Sequence, residues 1–404
     1  MVEPERRAFD VTLLYAARGV RGFGDGFAII ILPAYLTAIG FDAVWVGIVA
    51  TASLLGSSVL TLAVGFLGAR YPLRSLLLAG ALLMIATGIA FPQSGNIAVI
   101  VLVAFIGTVN PSTGDIGMLV PLEHAMLARA VADRNRTRAF ARYSLIGALA
   151  TAAGSLAAAT PDALAAAGID AVTAFKAMFY AYAVLGLIGA ALYQRLPRIE
   201  AKEVRASSAP LGPSRGIVYR LAALFSLDAF AGGFIVQSLL ALWLFQRFGL
   251  SLSAASLFFF WSSVLSAFSY PVAAWLAARI GLINTMVFTH IPSSVCLILA
   301  AFSPSLTLTL TLLLIRAALS QMDVPTRTSY TMAVVTPPER TAAAGVTAVP
   351  RSLASSLSPA LGGALLAGPF PGLPLVVCGC LKIAYDLALL WTFRHVRPPE
   401  EKPD

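Results

Sequence analysis

Asp323 and Arg327 stand four residues apart in "SQMDVPTRTSYTMAVV" (320–335), directly after the apolar run "LTLTLTLLLIRAAL" (306–319). An acid and a guanidinium at that spacing share one helix face. Pro325 between them removes a backbone donor and bends or loosens a helix, freeing carbonyls that apolar surroundings tolerate only beside protein or water. The pattern predicts the wall of a polar cavity; the alternative is a permanent ion pair that fixes helix packing.

Asp323 and four further groups suit proton chemistry. Glu123 and His124 are adjacent in "VPLEHAML", where apolar surroundings favour a protonated carboxyl and a nearby arginine favours the ionised one, so a moving arginine would load and release a proton. Asp25 is flanked by glycines in "GFGDGF", which let a helix approach closely and leave the carboxylate open to solute. Asp115 lies in the same segment as Glu123. His124 titrates in the range a relay needs, and a satisfied packing role is the alternative. Arg18, Arg21, Asp228 and Arg327, ionisable groups in apolar segments to which Arg316 adds another, are candidates for lining a substrate cavity, as is Arg351 in "VPRSLASS", a candidate ligand for an anionic group, guanidinium being a bidentate partner of carboxylate and phosphate. Lys382 and Asp386, also four apart on one helix face, are assigned mainly to structure, since the fold that the chain resembles, named below, implies an outer supporting helix there.

The elements that must position these groups are membrane helices. Of 404 residues 58% are hydrophobic and 12% charged, with mean hydropathy +0.84, against roughly 25% charged in a soluble chain. Windows long enough to span a bilayer recur at about 12–38, 44–68, 75–92, 97–131, 139–159, 172–193, 217–245, 252–278, 285–303, 306–335, 341–367 and 373–393. An ionisable group at mid-membrane costs roughly 2.5–3.5 kcal/mol and faces a bundle interior or water. The N-terminus "MVEPERRAFDVTLLY" shows no cleavage site, so the first helix is expected to be retained. Cys296, Cys378 and Cys380 are an odd set in apolar helices, expected as small buried packing residues rather than disulfides or a metal site.

Basic residues mark one membrane face. Arg6 and Arg7 precede the first helix, Arg70 and Arg74 lie in the second connection, Arg129, Arg134, Arg136 and Arg138 in the fourth, and six Lys/Arg in the sixth. Both termini and the even connections are therefore expected to be cytoplasmic. The +9 net charge follows this topology, which argues against nucleic acid as its partner. The polar stretch 194–220, rich in Pro and Ser, reads as a cytoplasmic linker between a six-helix bundle over 1–193 and another over 221–404.

The halves repeat. At an offset of 204 residues "PLEHAMLARAVADRNRTRA" (121–139) lies over "PTRTSYTMAVVTPPERTAA" (325–343), pairing Pro121 with Pro325, Arg136 with Arg340 and Glu123 with Arg327. At an offset of 207 "FGDGF" lies over "FAGGF" (230–234), which sets Arg21 on Asp228. Each equivalence exchanges the sign of the charge. Arg21 with Glu123 in one half, and Asp228 with Arg327 in the other, keeps both halves near neutral in low dielectric.

This chain resembles the major facilitator superfamily over nearly its whole length. "GFLGARYPLRSLL" (65–77) is similar to that family's second-connection motif, with Gly65, Arg70 and Arg74 in place, Ala69 where the family has Asp and Pro72 where it has Gly. "AAWLAARIGLIN" (273–284) is its second-half echo. The Gly-Pro-x-x-Gly-Gly antiporter signature is absent from the fifth helix, while "SPALGG" (358–363) resembles it in the eleventh. The resemblance implies an all-α fold of twelve transmembrane helices, two six-helix bundles with pseudo-two-fold symmetry, and a central cavity lined by helices 1, 4, 7 and 10, the helices that hold most of the intramembrane charges.

The function expected is secondary active transport by alternating access. No Gly-x-x-x-x-Gly-Lys-Ser/Thr loop supplies ATP chemistry, and neither a His-Glu-x-x-His nor a Gly-x-Ser-x-Gly motif suggests an enzyme; no cofactor is expected. The leading expectation is proton-coupled export of a small organic solute, by similarity to drug-efflux members; the second is proton-coupled uptake or exchange of an organic or inorganic anion, and a non-transporting receptor is remote. A monomer in a bacterial inner membrane completes the expectation.

Overall fold

The computed structural model describes residues 3–67, 70–112, 117–131, 136–198 and 211–396. They form α1 (Glu3–Ala38), α2 (Ala43–Leu67), α3 (Leu73–Gln93), α4 (Ile97–Ile106), α5 (Leu119–Ala130), α6 (Arg136–Ala157), α7 (Thr160–Ala166) and α8 (Ala171–Gln194). Then follow α9 (Arg215–Gly233), α10 (Gln237–Phe248), α11 (Leu252–Ile280), α12 (Leu282–Phe302), α13 (Leu306–Ser320), α14 (Asp323–Ala333), a 3₁₀ turn at Pro337–Glu339, α15 (Arg340–Leu366) and α16 (Leu373–Phe393). The described residues contain no strand. Ten helical stretches among them are long and apolar enough to cross a membrane, and Ile97–Ile106 is a shorter apolar helix.

Every apolar window of the sequence carries a helix, and the fourth, seventh and tenth are each split in two: α4/α5, α9/α10 and α13/α14. The tenth breaks at Gln321 and Met322, before Pro325. Pro325 sits in the first turn of α14, where its missing N–H has no helical acceptor to lose, so the expected bend at the proline is replaced by a break just ahead of it. In the fourth window the irregular backbone is held by protein: Thr108 N–H donates to Thr87 Oγ1 at 3.3 Å, Tyr182 Oη to Thr108 O at 3.2 Å and Ser238 N–H to Pro111 O at 3.0 Å. That satisfaction is what irregular backbone needs at membrane depth.

Polarity is inverted relative to a soluble protein. Trp391 is 77% exposed and Phe268 68%, whereas Asp386, on the same helix as Trp391, is 0% exposed. An apolar exterior around buried charge is the arrangement a lipid solvent selects. Cys378 is buried, but Cys296 is half-buried and Cys380 exposed, which corrects the expectation that all three cysteines are buried.

The chain divides into two compact units, Met1–Arg205 with Gln237–Phe260, and Ala206–Val236 with Trp261–Asp404. The stretch 237–260, which the sequence assigns to the second bundle, thus packs with the first unit, where α10 lies against α1 and α2.

The same construction appears in both units. In the first, α1 crosses α6 so closely that a Cβ on Gly26 would collide with the Thr151 carbonyl; in the second, α9 crosses α15 and a Cβ on Gly233 would collide with Ser358 and the Ser355 carbonyl. Between lipid-solvated helices, packing at small residues supplies much of the association energy. Phe23 and Phe27 make an edge-on ring pair at 6.0 Å, and their counterparts Phe230 and Phe234 make one at 5.2 Å. Arg136 Nε donates to Ala128 O at 3.2 Å, and Arg340 Nε to Met332 O at 3.1 Å, each cation satisfying carbonyls at the end of the preceding helix.

The second unit also anchors the start of α9. Glu339 accepts hydrogen bonds from the N–H groups of Gly212 and, at 3.3 Å, Ser214, and from Thr336 Oγ1 at 2.7 Å. Hydrogen bonds from Ser214 and Thr336, then from Gly212, lower its carboxyl from the ordinary 4.5 to about 2.

Candidate functional site

Each unit encloses one cluster of charge. In the first, α1 presents Arg21 and α5 presents Glu123, with Arg21 Nη2 at 2.5 Å from Glu123 Oε2. Glu123 is fully buried. Its carboxylate also accepts from Tyr143 on α6, and from Tyr193 on α8 at 2.6 Å, while Arg21 Nη2 donates to Tyr143 Oη at 2.9 Å. Four helices therefore converge on one ion pair. A guanidinium and two phenols take three of the roughly four acceptor sites of the Glu123 carboxylate.

Arg18 lies over the Tyr143 ring, 5.4 Å from its centre, in cation–π geometry. His124 stands edge-on to Phe140 and Tyr143, at 5.0 and 4.8 Å. Asp25 and Arg21 line a cavity of about 30 Å³ with Ser57, Thr108 and Asn110, room for about two waters. Asp115 lies outside the described residues.

In the second unit Arg327 bridges two acids, with Nη1 at 3.2 Å from Asp228 and 3.1 Å from Asp323. Asp228, on α9, receives a second cation, Lys382 Nζ from α16 at 2.6 Å. Lys382 Nζ is also 3.3 Å from His290 Nε2, and His290 Nδ1 is 3.0 Å from both Asp386 oxygens. A continuous polar chain thus runs from Asp323 through Arg327, Asp228, Lys382 and His290 to Asp386, and those members other than Lys382 are buried. Arg351, on α15, is half-buried, and its Nε is buried with no hydrogen-bond partner.

The two pairs expected from the repeat, Arg21 with Glu123 and Asp228 with Arg327, both form. Of the loop motif, Gly65 and Arg70 are exposed, and Arg74 donates to the Leu196 carbonyl at 3.1 Å beyond the end of α8. Sequence reasoning left out Tyr143, Tyr193 and His290, and gave Lys382 and Asp386 to an outer packing helix. The signal that could have found them is the coincidence of a histidine in the ninth window with a Lys/Asp pair in the twelfth, all in segments otherwise without charge.

Helices long and apolar enough to cross a membrane, enclosing two buried charge clusters under an apolar exterior, are the construction of a polytopic membrane protein. The sequence matches the family model of the Major Facilitator Superfamily over residues 14–245 and 221–404. The chain belongs to this superfamily, and it is an integral membrane protein. An uncharacterized membrane protein of Saccharomyces cerevisiae is 22% identical over 424 residues, covering 96% of this chain and 94% of that protein. Solved structures share the fold: a D-xylose–proton symporter (16% identity, TM-score 0.76, covering 98% of this chain and 99% of that one) and the nucleoside transporter NupG (14%, 0.73, 96% and 99%). A third is the human organic anion transporter MFSD10 (15%, 0.65, 95% and 99%).

Proposed function

We propose that this chain is a proton-coupled exporter of a small organic solute, working by alternating access as a monomer in a bacterial plasma membrane with both termini cytoplasmic. The observation that carries the coupling is the second-unit chain, in which three carboxylates and a histidine share two cations inside an apolar bundle. Buried acids of this kind exchange protons when a neighbouring cation moves. The fold neighbour that is a D-xylose–proton symporter supports the choice of ion, and the distribution of Lys and Arg supports the orientation.

A second reading, proton-coupled uptake or exchange of an anion, is favoured by Arg351. A guanidinium nitrogen buried without an acceptor is suited to a carboxylate or phosphate ligand, and one fold neighbour is an organic anion transporter.

The test is proteoliposomes loaded with a pH dye and challenged with D-xylose, a nucleoside, and cationic, anionic and zwitterionic organic solutes. Solute-dependent proton movement is the expected result, and its sign relative to solute flux separates export from uptake. Solute flux with no proton movement overturns the coupling. Selective loss of anion flux in Arg351→Gln would establish the second reading.

A further inference from the structure

We propose that His290, with Asp386 as its orienting partner, is a proton-binding site on α12 and α16 that reports to Asp228 through Lys382. The inference rests on the proton-coupled reading and locates its proton away from Glu123.

The hydrogen bonds define the unloaded state. A lysine ammonium only donates, so its 3.3 Å contact with His290 Nε2 makes Nε2 the acceptor. Nδ1 then carries the single ring proton and donates to Asp386 at 3.0 Å. In this neutral tautomer Asp228, Asp323 and Asp386 carry three negative charges, with Arg327 and Lys382 bonded to them and Arg351 a third cation acting on Asp228 and Asp323.

Loading has a defined consequence. A proton taken from bulk water forms an N–H bond at Nε2; no other group gives one up, and release returns it to water. Nε2 then ceases to accept, and Lys382 must leave it. The new Nε2–H faces Asp228 Oδ1, which is 3.8 Å away. Asp228 thereby gains a cationic neighbour at the carboxylate that also holds Arg327. A proton on two supporting helices thus rebalances the ion pair on α9 and α14.

The charged and titratable groups facing His290 are Asp228 from α9 and Lys382, Tyr385 and Asp386 from α16. Asp323 and Arg327 reach it from α14 through Asp228. Arg316 lies on α13, which packs on α12, and its carbonyl accepts from Ser293 at 3.4 Å. Cys378 on α16 and Cys296 on α12 lie near Arg316, and Arg351 on α15 acts on Arg327, Asp228 and Asp323.

The test uses full-length protein labelled with ¹⁵N-histidine in nanodiscs, titrated from about pH 8 to about pH 5, where imidazole changes charge. Loss of one signal in His290→Gln identifies it; should that variant fail to fold, His124→Gln and His395→Gln assign it by elimination. The His290 signal is expected to start as the Nδ1–H tautomer and to take up its second proton at Nε2 on acidification. Asp386→Asn is expected to lower solute-driven proton flux, since it removes the acceptor that orients the ring through Nδ1. In proteoliposomes His290→Gln should lose solute-driven proton flux while retaining solute counterflow, which moves no net proton. A His290 signal that stays neutral throughout, or wild-type proton flux in His290→Gln, overturns the site. Absence of proton flux in the wild type overturns the coupled reading itself, and so is a separate outcome.

Discussion

Replacing Glu123 by Gln isolates the energetic role of the first-unit cluster. Glutamine preserves shape, and its amide oxygen can still accept where Oε2 does, while the NH2 group replaces Oε1 against Tyr193. What disappears is the charge opposite Arg21, a side chain 9% exposed beside a carboxylate that is 0% exposed. Removing one partner of a buried pair costs about 3–5 kcal/mol, because the other charge stays behind. At about 2–4 °C per kcal/mol for a unit of this size, melting in detergent should fall by about 10 °C. Removing both charges with Arg21→Met and Glu123→Leu should not restore stability, since Tyr143 and Tyr193 would lose their acceptor, about 1–3 kcal/mol for each stranded hydroxyl. Exchanging the charges, Arg21→Glu with Glu123→Arg, should recover part of the loss, read as a coupling energy of at least about 1 kcal/mol in a double-mutant cycle. A Glu123→Gln protein that melts with the wild type, or an exchange that rescues neither single mutant, would refute the picture of a pair held by its charge.

Glu339 should shape the acid limb of stability. The fold favours its ionised form, so its contribution is complete above the ordinary value of 4.5 and is lost as pH falls toward about 2; Glu339→Gln should flatten that limb in a pH series of melting curves, and an unchanged limb counts against the clasp. Gly26→Ala places a methyl against the Thr151 carbonyl, and overpacking of this kind costs about 1–3 kcal/mol; unaltered melting would show that α1 and α6 can separate freely. Asp162 accepts from Ser253 N–H at 2.9 Å and from its hydroxyl at 2.7 Å, capping α11 from a remote helix. Asp162→Ala should cost about 1 kcal/mol, the usual worth of a cap, seen as faster hydrogen exchange in the first turn of α11, whereas unchanged exchange there would assign the cap no weight.

Much of this architecture was legible in one dimension. Long apolar windows report the lipid solvent directly, because a bilayer demands length and hydropathy in each helix separately. The tenth helix's Asp323 and Arg327 are local neighbours, and the fold keeps them paired at 3.1 Å. The internal repeat went further: its sign exchange identified Arg21 with Glu123 and Asp228 with Arg327, partners 102 and 99 residues apart. Such pairs can be read because buried charge must be balanced within each half, and duplication tells which helices face each other.

What the amino-acid sequence determined by itself is therefore the class of solvent, the helices, the duplication and the charges needing partners. Only the tertiary structure decided which neutral and outer-helix groups complete the clusters. Tyr143 and Tyr193 look like ordinary packing residues until three helices bring them to Glu123, and His290 meets Asp386 across 96 residues of chain. Hydropathy and spacing describe one helix at a time, whereas a hydrogen bond between helices depends on crossing and rotation, which the packing of the whole unit sets. Lys382 was placed on a supporting helix for that reason, and the folded chain carries its ammonium to the same carboxylate that holds Arg327.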